Sequence, residues 1–138
     1  YGWDLEPDVR LERGIYSMDF NVRSITWLLD VGPVPLEEVE AAAAGRHADP
    51  WKLMSQAELP HFADQGARVE AQVELMRRAD ALGLSSRVEA RVGHTYLLRN
   101  IFPTWHDHLV AFQVAHRDEA GDVLAWRVLR AWEVARRR

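Results

Sequence analysis

Between Arg87 and Val134 the chain alternates apolar and polar residues in three successive runs, RVEARVGHTYLLRNIF, LVAFQVAH and VLAWRVLRAWEV. This period-two pattern constrains the fold more than any other feature of the sequence. In the first run Val88, Ala90 and Val92 alternate with Arg87, Glu89 and Arg91, and Tyr96 and Leu98 follow Gly93. Val110, Phe112 and Val114 share a face in the second run, and Leu124, Trp126 and Val128 do so in the third. The connecting stretches PTWHDH (103–108) and RDEAGD (117–122) are polar and read as loops. Three strands in a meander are marginal in water without a cover, so the apolar face requires a lid.

The amphipathic stretch just before the meander supplies that lid. A helix over about 60–82 places Phe62, Gly66, Val69, Val73, Met76 and Ala79 on one stripe, expected to face the sheet, with Gly83 as its C-cap. Glu74 and Arg78 stand at the supportive i, i+4 spacing. Upstream, Met18, Phe20 and Val22 alternate, as do Ile25, Trp27, Leu29 and Val31, which predicts strands near 14–22 and 25–31. Pro33 and Pro35 end the second of these. Pro35 then opens a shorter helix over about 35–44, with Glu37 and Glu38 in its first turn. Asp49-Pro50 starts a short turn, WKLM, and Ser55 with Glu58 has the spacing of a capping box. The element order predicts an α+β fold: an antiparallel, curved sheet covered by the 60–82 helix, in a single domain spanning 1–138. That length suffices for a real core.

Composition narrows function mainly by exclusion. Cysteine is absent, which removes disulfides, thiol nucleophiles and Cys-ligated zinc and leaves the redox compartment open. The net charge of −4 disfavours nucleic acid as a partner, and no apolar run is long enough for a transmembrane helix. Residues 1–60 carry 11 acidic and 5 basic residues against 10 and 12 in residues 61–138, with no basic face in evidence. The chain starts at Tyr1 rather than Met, as a processed or excised piece would. No dinucleotide fingerprint, P-loop, zincin motif, nucleophile elbow or EF-hand loop occurs.

Two polar clusters are the candidates for chemistry. In WHDH, His106 and His108 would point to one face of an extended segment, the spacing of a two-histidine metal arm, but a third ligand is not evident. Neither a metal nor another cofactor is therefore expected. In GHTYLLRN, His94, Tyr96 and Arg99 offer acid–base and anion-stabilising groups, although pleating sends Arg99 to the face opposite His94 and Tyr96. With Asp107 and His108, His94 and Tyr96 are the residues a small-ligand pocket or a small hydrolase or isomerase would use. The plainer expectation is that Tyr96 packs in the core and Arg99 is exposed. Of six tryptophans, Trp27 and Trp126 are expected in the core, while Trp105 and Trp132 near the sheet rim are candidate interface anchors.

The pattern Val-Gly-x-Thr-Tyr-x-x-Arg-x-Ile, followed by Asp-x-Leu-Val-Ala-Phe, an Asp-x-x-Gly turn and Trp-x-x-Leu, resembles a β-meander in uncharacterised bacterial proteins, often exported ones. It covers roughly residues 88–132 and implies no activity and no site residue. It favours an extracytoplasmic setting over a cytoplasmic one. The sequence thus points to a non-enzymatic binding or structural module of a bacterial protein or assembly, with a protein partner or self-association. The alternative is a cone-shaped small-ligand pocket between helix and sheet, analogous at fold level to NTF2-like proteins.

Overall fold

The computed structural model describes residues 9–12, 15–18, 25–59, 65–102, 106–118 and 121–133. The α+β class holds. Four antiparallel strands form an open sheet in the order β3-β5-β6-β7, with β3 Ile25–Gly32, β5 Thr95–Phe102, β6 His106–Asp118 and β7 Gly121–Ala131. A second antiparallel sheet has the order β1-β2-β4, from Val9–Glu12, Ile15–Met18 and Arg87–Glu89. A 3-10 turn at Leu36–Glu38 leads into α1 (Val39–Arg46), followed by α2 (Ala48–Gln56) and α3 (Gln65–Ala81). Among the described residues no helix is long and apolar enough to cross a membrane.

The first of the three alternating runs divides between the two sheets. Gly93, at φ +84°, makes the break, and its amide donates to the carbonyl of Val114 on β6. A positive φ costs glycine little, so the chain can leave β4 and enter β5 within a few residues. Both polar connections also differ from expectation: in RDEAGD, Arg117 pairs with Asp122 and Asp118 with Gly121, so both its ends belong to strands. His106, Asp107 and His108 belong to β6, paired with Phe102, Ile101 and Asn100, and so are strand residues rather than loop residues.

Both faces of the four-stranded sheet are apolar. One face carries Ile25, Trp27, Leu97, Ile101, Leu109 and Ala111 beneath the helices. The other carries Leu28, Tyr96, Leu98, Val110, Phe112 and Val114, joined by Ala90 and Val88, with the Tyr96 and Phe112 rings stacked at 5.1 Å. Every residue from Thr95 to Ile101 is buried, as expected of a strand covered on both sides.

The helical cover departs from the predicted stripe. Val39, Ala43, Leu53, Met54 and Ala57, from α1, α2 and the residue that follows, supply most of it, and α3 adds Leu75 and Ala79. Gln72, Leu75 and Ala79 are the buried side of α3, whereas Val69, Val73 and Met76 are 49%, 59% and 47% exposed. The expectation that Val73 faces the sheet is therefore wrong; the larger apolar residues lie about a quarter-turn or more away from the side that packs. Phe62, on the same predicted stripe, lies outside the described residues. Glu74 pairs with Arg77, at 2.6 and 3.0 Å, instead of Arg78. The end of α3 is as expected: Leu84 N–H donates to Ala79 and Gly83 N–H to Asp80, the paired bonds of a Schellman stop, with Gly83 at φ +76°.

Two smaller corrections concern the segment before α3. The WKLM turn is part of a nine-residue helix, since Pro50 falls in its first turn, where no intrahelical amide bond is lost. The Ser55 hydroxyl, instead of opening a capping box, donates back to the Trp51 carbonyl at 2.7 Å.

Candidate functional site

The four residues singled out for a pocket do not converge. Tyr96 stands opposite Phe112 near the start of β5, whereas Asp107 and His108 stand opposite Ile101 and Asn100 near its end. At about 3.3 Å per strand residue the two pairs are separated by roughly 15 Å. Asp107 moreover projects to the helix-covered face, and Tyr96 and His108 to the other.

At the first end, His94 Nδ1 lies 2.9 Å from Asp30 Oδ1 and 3.1 Å from Oδ2. Asp30 is held for this contact by the register shift that ends β3, where the Gly32 amide donates to the same Oδ1 at 2.9 Å. A carboxylate accepting from Nδ1 leaves Nε2 of a neutral ring as an acceptor, so the pair could hold or pass a proton there. Tyr96 is committed elsewhere. Its buried hydroxyl donates to the Glu89 carbonyl at 2.8 Å and accepts from the Arg91 amide at 2.7 Å. Burial pushes its pKa up to about 12, which suits a structural tie between the two sheets and not a general base.

The far end is organised around Arg99, expected on the surface and found fully buried. Its guanidinium makes a fork-to-fork pair with Asp107, Nε to Oδ1 at 2.8 Å and Nη2 to Oδ2 at 3.0 Å. It also donates to the carbonyls of Met54 at 2.7 Å and Ala57 at 2.6 Å. Trp132 closes the other side, with its ring centre 3.6 Å from the guanidinium carbon. The carbonyls at the end of α2 have no intrahelical partners and carry the negative end of its dipole, and α2 has no basic residue in its own last turn. Arg99 supplies that cation from the sheet. Arg130 adds a second, donating to Ser55 O at 3.1 Å and lying 3.5 Å from Glu40. Asp107, a catalytic candidate from the sequence, is thus one half of a buried ion pair, and Trp132 is engaged within the chain.

The remaining candidates are simply placed. His106 is a β6 residue, and Trp105 lies outside the described residues. His108 is half-buried on β6, and burial lowers its pKa against a smaller opposing effect of Asp107. Among the described residues no group of three or more His, Asp and Glu side chains could hold a metal ion. Trp126, expected in the core, is 44% exposed, and Val128 beside it on the same face is 45% exposed. The reason is positional: β7 ends the sheet order, and while its Leu124 packs against the core on that face, Trp126 and Val128 lie beyond the cover. A cleft of about 230 Å³ runs between α3 and β3, lined by Ile25, Thr26, Trp27, Met76, Asp80 and Leu84, among others. It is smaller than the usual ligand pocket and includes none of His94, Tyr96, Asp107 and His108.

Sequence reasoning missed Arg99 as a buried group and Asp30 as the partner of His94. The first had a signal, since a lone charge inside YLLRNI needs a counter-charge if both faces of the strand are covered. The second had none, because the partners are 64 residues apart. No family model matches the chain, and neither does a curated protein or a solved structure.

Proposed function

We propose that this chain is a non-enzymatic binding or structural module of a bacterial protein or assembly, acting through protein–protein contacts. The observation that carries this reading is the placement of large apolar side chains in solvent on two surfaces, Val69, Val73 and Met76 on α3 and Trp126 and Val128 on β7. Meanwhile Arg99, Asp107 and Tyr96 are spent on internal bonds. Contiguous exposed apolar groups next to an edge strand are features that partners cover. Photoreactive residues at positions 73 and 126, with one at exposed Ala44 as reference, test this in cells producing the chain. Discrete protein-sized adducts from 73 or 126, and none from 44, are expected. Adducts from neither position would contradict the reading.

A second reading is favoured by one contact, the His94–Asp30 pair, which would let Nε2 of His94 serve proton transfer on a small ligand. Turnover or binding of a small molecule that is lost in His94→Gln, with folding unchanged, would move the assignment to this site.

A further inference from the structure

The exposed stripe of α3 has a regular spacing. Gly66, Val69, Val73, Met76 and Asp80 follow one another at intervals of three, four, three and four, the seam of a two-stranded coiled coil, and the apolar members project into solvent. We propose that this seam pairs with α3 of a second copy of the chain, antiparallel, about a two-fold axis at Val73. The proposal rests on the reading of the chain as a protein-binding module and names both the surface and the partner.

The self-complementarity is on the helix itself. With the axis at Val73, that residue meets its own copy and Val69 meets the partner's Met76. Glu70, next to the seam, then lies beside the partner's Arg77, so that the two charges flanking the apolar centre match twice over. Arg77 already lies along the exposed surface beside Glu74, one turn away, and its remaining donors can take a second carboxylate. A parallel pair would instead place Asp80 against Asp80, a like-charge contact at a seam position, and would not bring Glu70 beside the partner's Arg77. The antiparallel pair opposes Asp80 with Gly66, which leaves the carboxylate room to reach water. The cleft beside Met76 and Asp80 opens next to the same seam, so the partner helix would also cover part of it. A heterologous helix could fill the stripe, but nothing would then require its charges to repeat this symmetry.

The chain contains no cysteine, which makes the test direct. Under mild oxidation Val73→Cys should give a disulfide-linked dimer, and Ala44→Cys, at an exposed position on α1, should not. By analytical ultracentrifugation the unmodified chain should show a reversible monomer–dimer equilibrium. Val73→Asp, which sets two carboxylates on the axis, should weaken it about tenfold or more. Glu70→Arg and Arg77→Glu should each weaken it, and the two together should restore it, a rescue only self-pairing permits. Monomer at every concentration with no Val73→Cys dimer would overturn the proposal, as would a dimer indifferent to Val73→Asp. If α3 stays unpaired while position 126 still cross-links to another protein, this proposal fails and the binding reading stands. Failure at both positions removes both.

Discussion

Helices α2 and α3 cover the same sheet face and are held in different ways. α2 contributes Leu53 and Met54 to the core, and its terminal carbonyls are bonded by Arg99 and Arg130 from the sheet. α3 is nearly twice as long, 17 residues against 9, yet its described core contribution is Leu75 and Ala79. Its larger aliphatic residues point to solvent. The lesson is that length and an apolar stripe do not identify the helix a core depends on. Satisfying orphan carbonyls in a buried place fixes α2 more firmly than a long amphipathic surface fixes α3. A stripe left outside is then better explained by a partner than by the core.

The largest expected effect breaks the firm side of this comparison. Arg99→Ala leaves Asp107 buried without its counter-charge and removes the donors to the Met54 and Ala57 carbonyls, and should cost about 3–5 kcal/mol in denaturant unfolding. Replacing both partners, as Arg99→Met with Asp107→Leu, should cost much less than the single change, because no charge is then left buried alone. Equal losses would mean that the carbonyl bonds, not the ion pair, dominate. Arg130→Ala is the milder probe of the same helix end. It removes one bond to Ser55 and a half-exposed ion pair, so about 0.5–1.5 kcal/mol is expected.

A smaller effect sharpens the comparison through pH. Burial lowers the pKa of His108, next to Asp107, so the unfolded chain binds more protons at this residue just below its ordinary value near 6.5. Stability is therefore full above that pH and declines as pH falls toward the folded-state value. Melting temperatures measured across this range should show a slope that is flattened in His108→Gln. An unchanged slope in the variant would assign the acid sensitivity to other groups.

Much of the architecture was legible in residues 87–131, because strict alternation and turn residues leave few other structures open. The Schellman stop at Gly83 was legible for a similar reason, since a helix ending at glycine needs only local bonds. The phase of α3 was not. Val69, Val73 and Met76 outweigh Leu75 and Ala79 in any hydrophobic count, and a count cannot separate a stripe that meets the sheet from one that meets something else. Trp126 misled in the same way, as alternation tells which face a residue shares but not where the cover of that face ends. Arg99 was misplaced because pointing away from Tyr96 was equated with pointing to water, while β5 has no wet face. The His94–Asp30 contact depends on the β3–β5 register, which no local pattern encodes.

The claim that α3 packs through Leu75 and Ala79 and leaves Val73 outside is tested most directly by two aspartates placed two residues apart. Leu75→Asp and Val73→Asp would be unfolded in denaturant side by side, at concentrations low enough to keep the chain monomeric. Leu75→Asp should lose about 3–5 kcal/mol as a charge enters the core, and Val73→Asp should stay within about 0.5 kcal/mol of the unmodified chain. A large loss at Val73 with little at Leu75 would contradict the account and return the apolar stripe to the sheet.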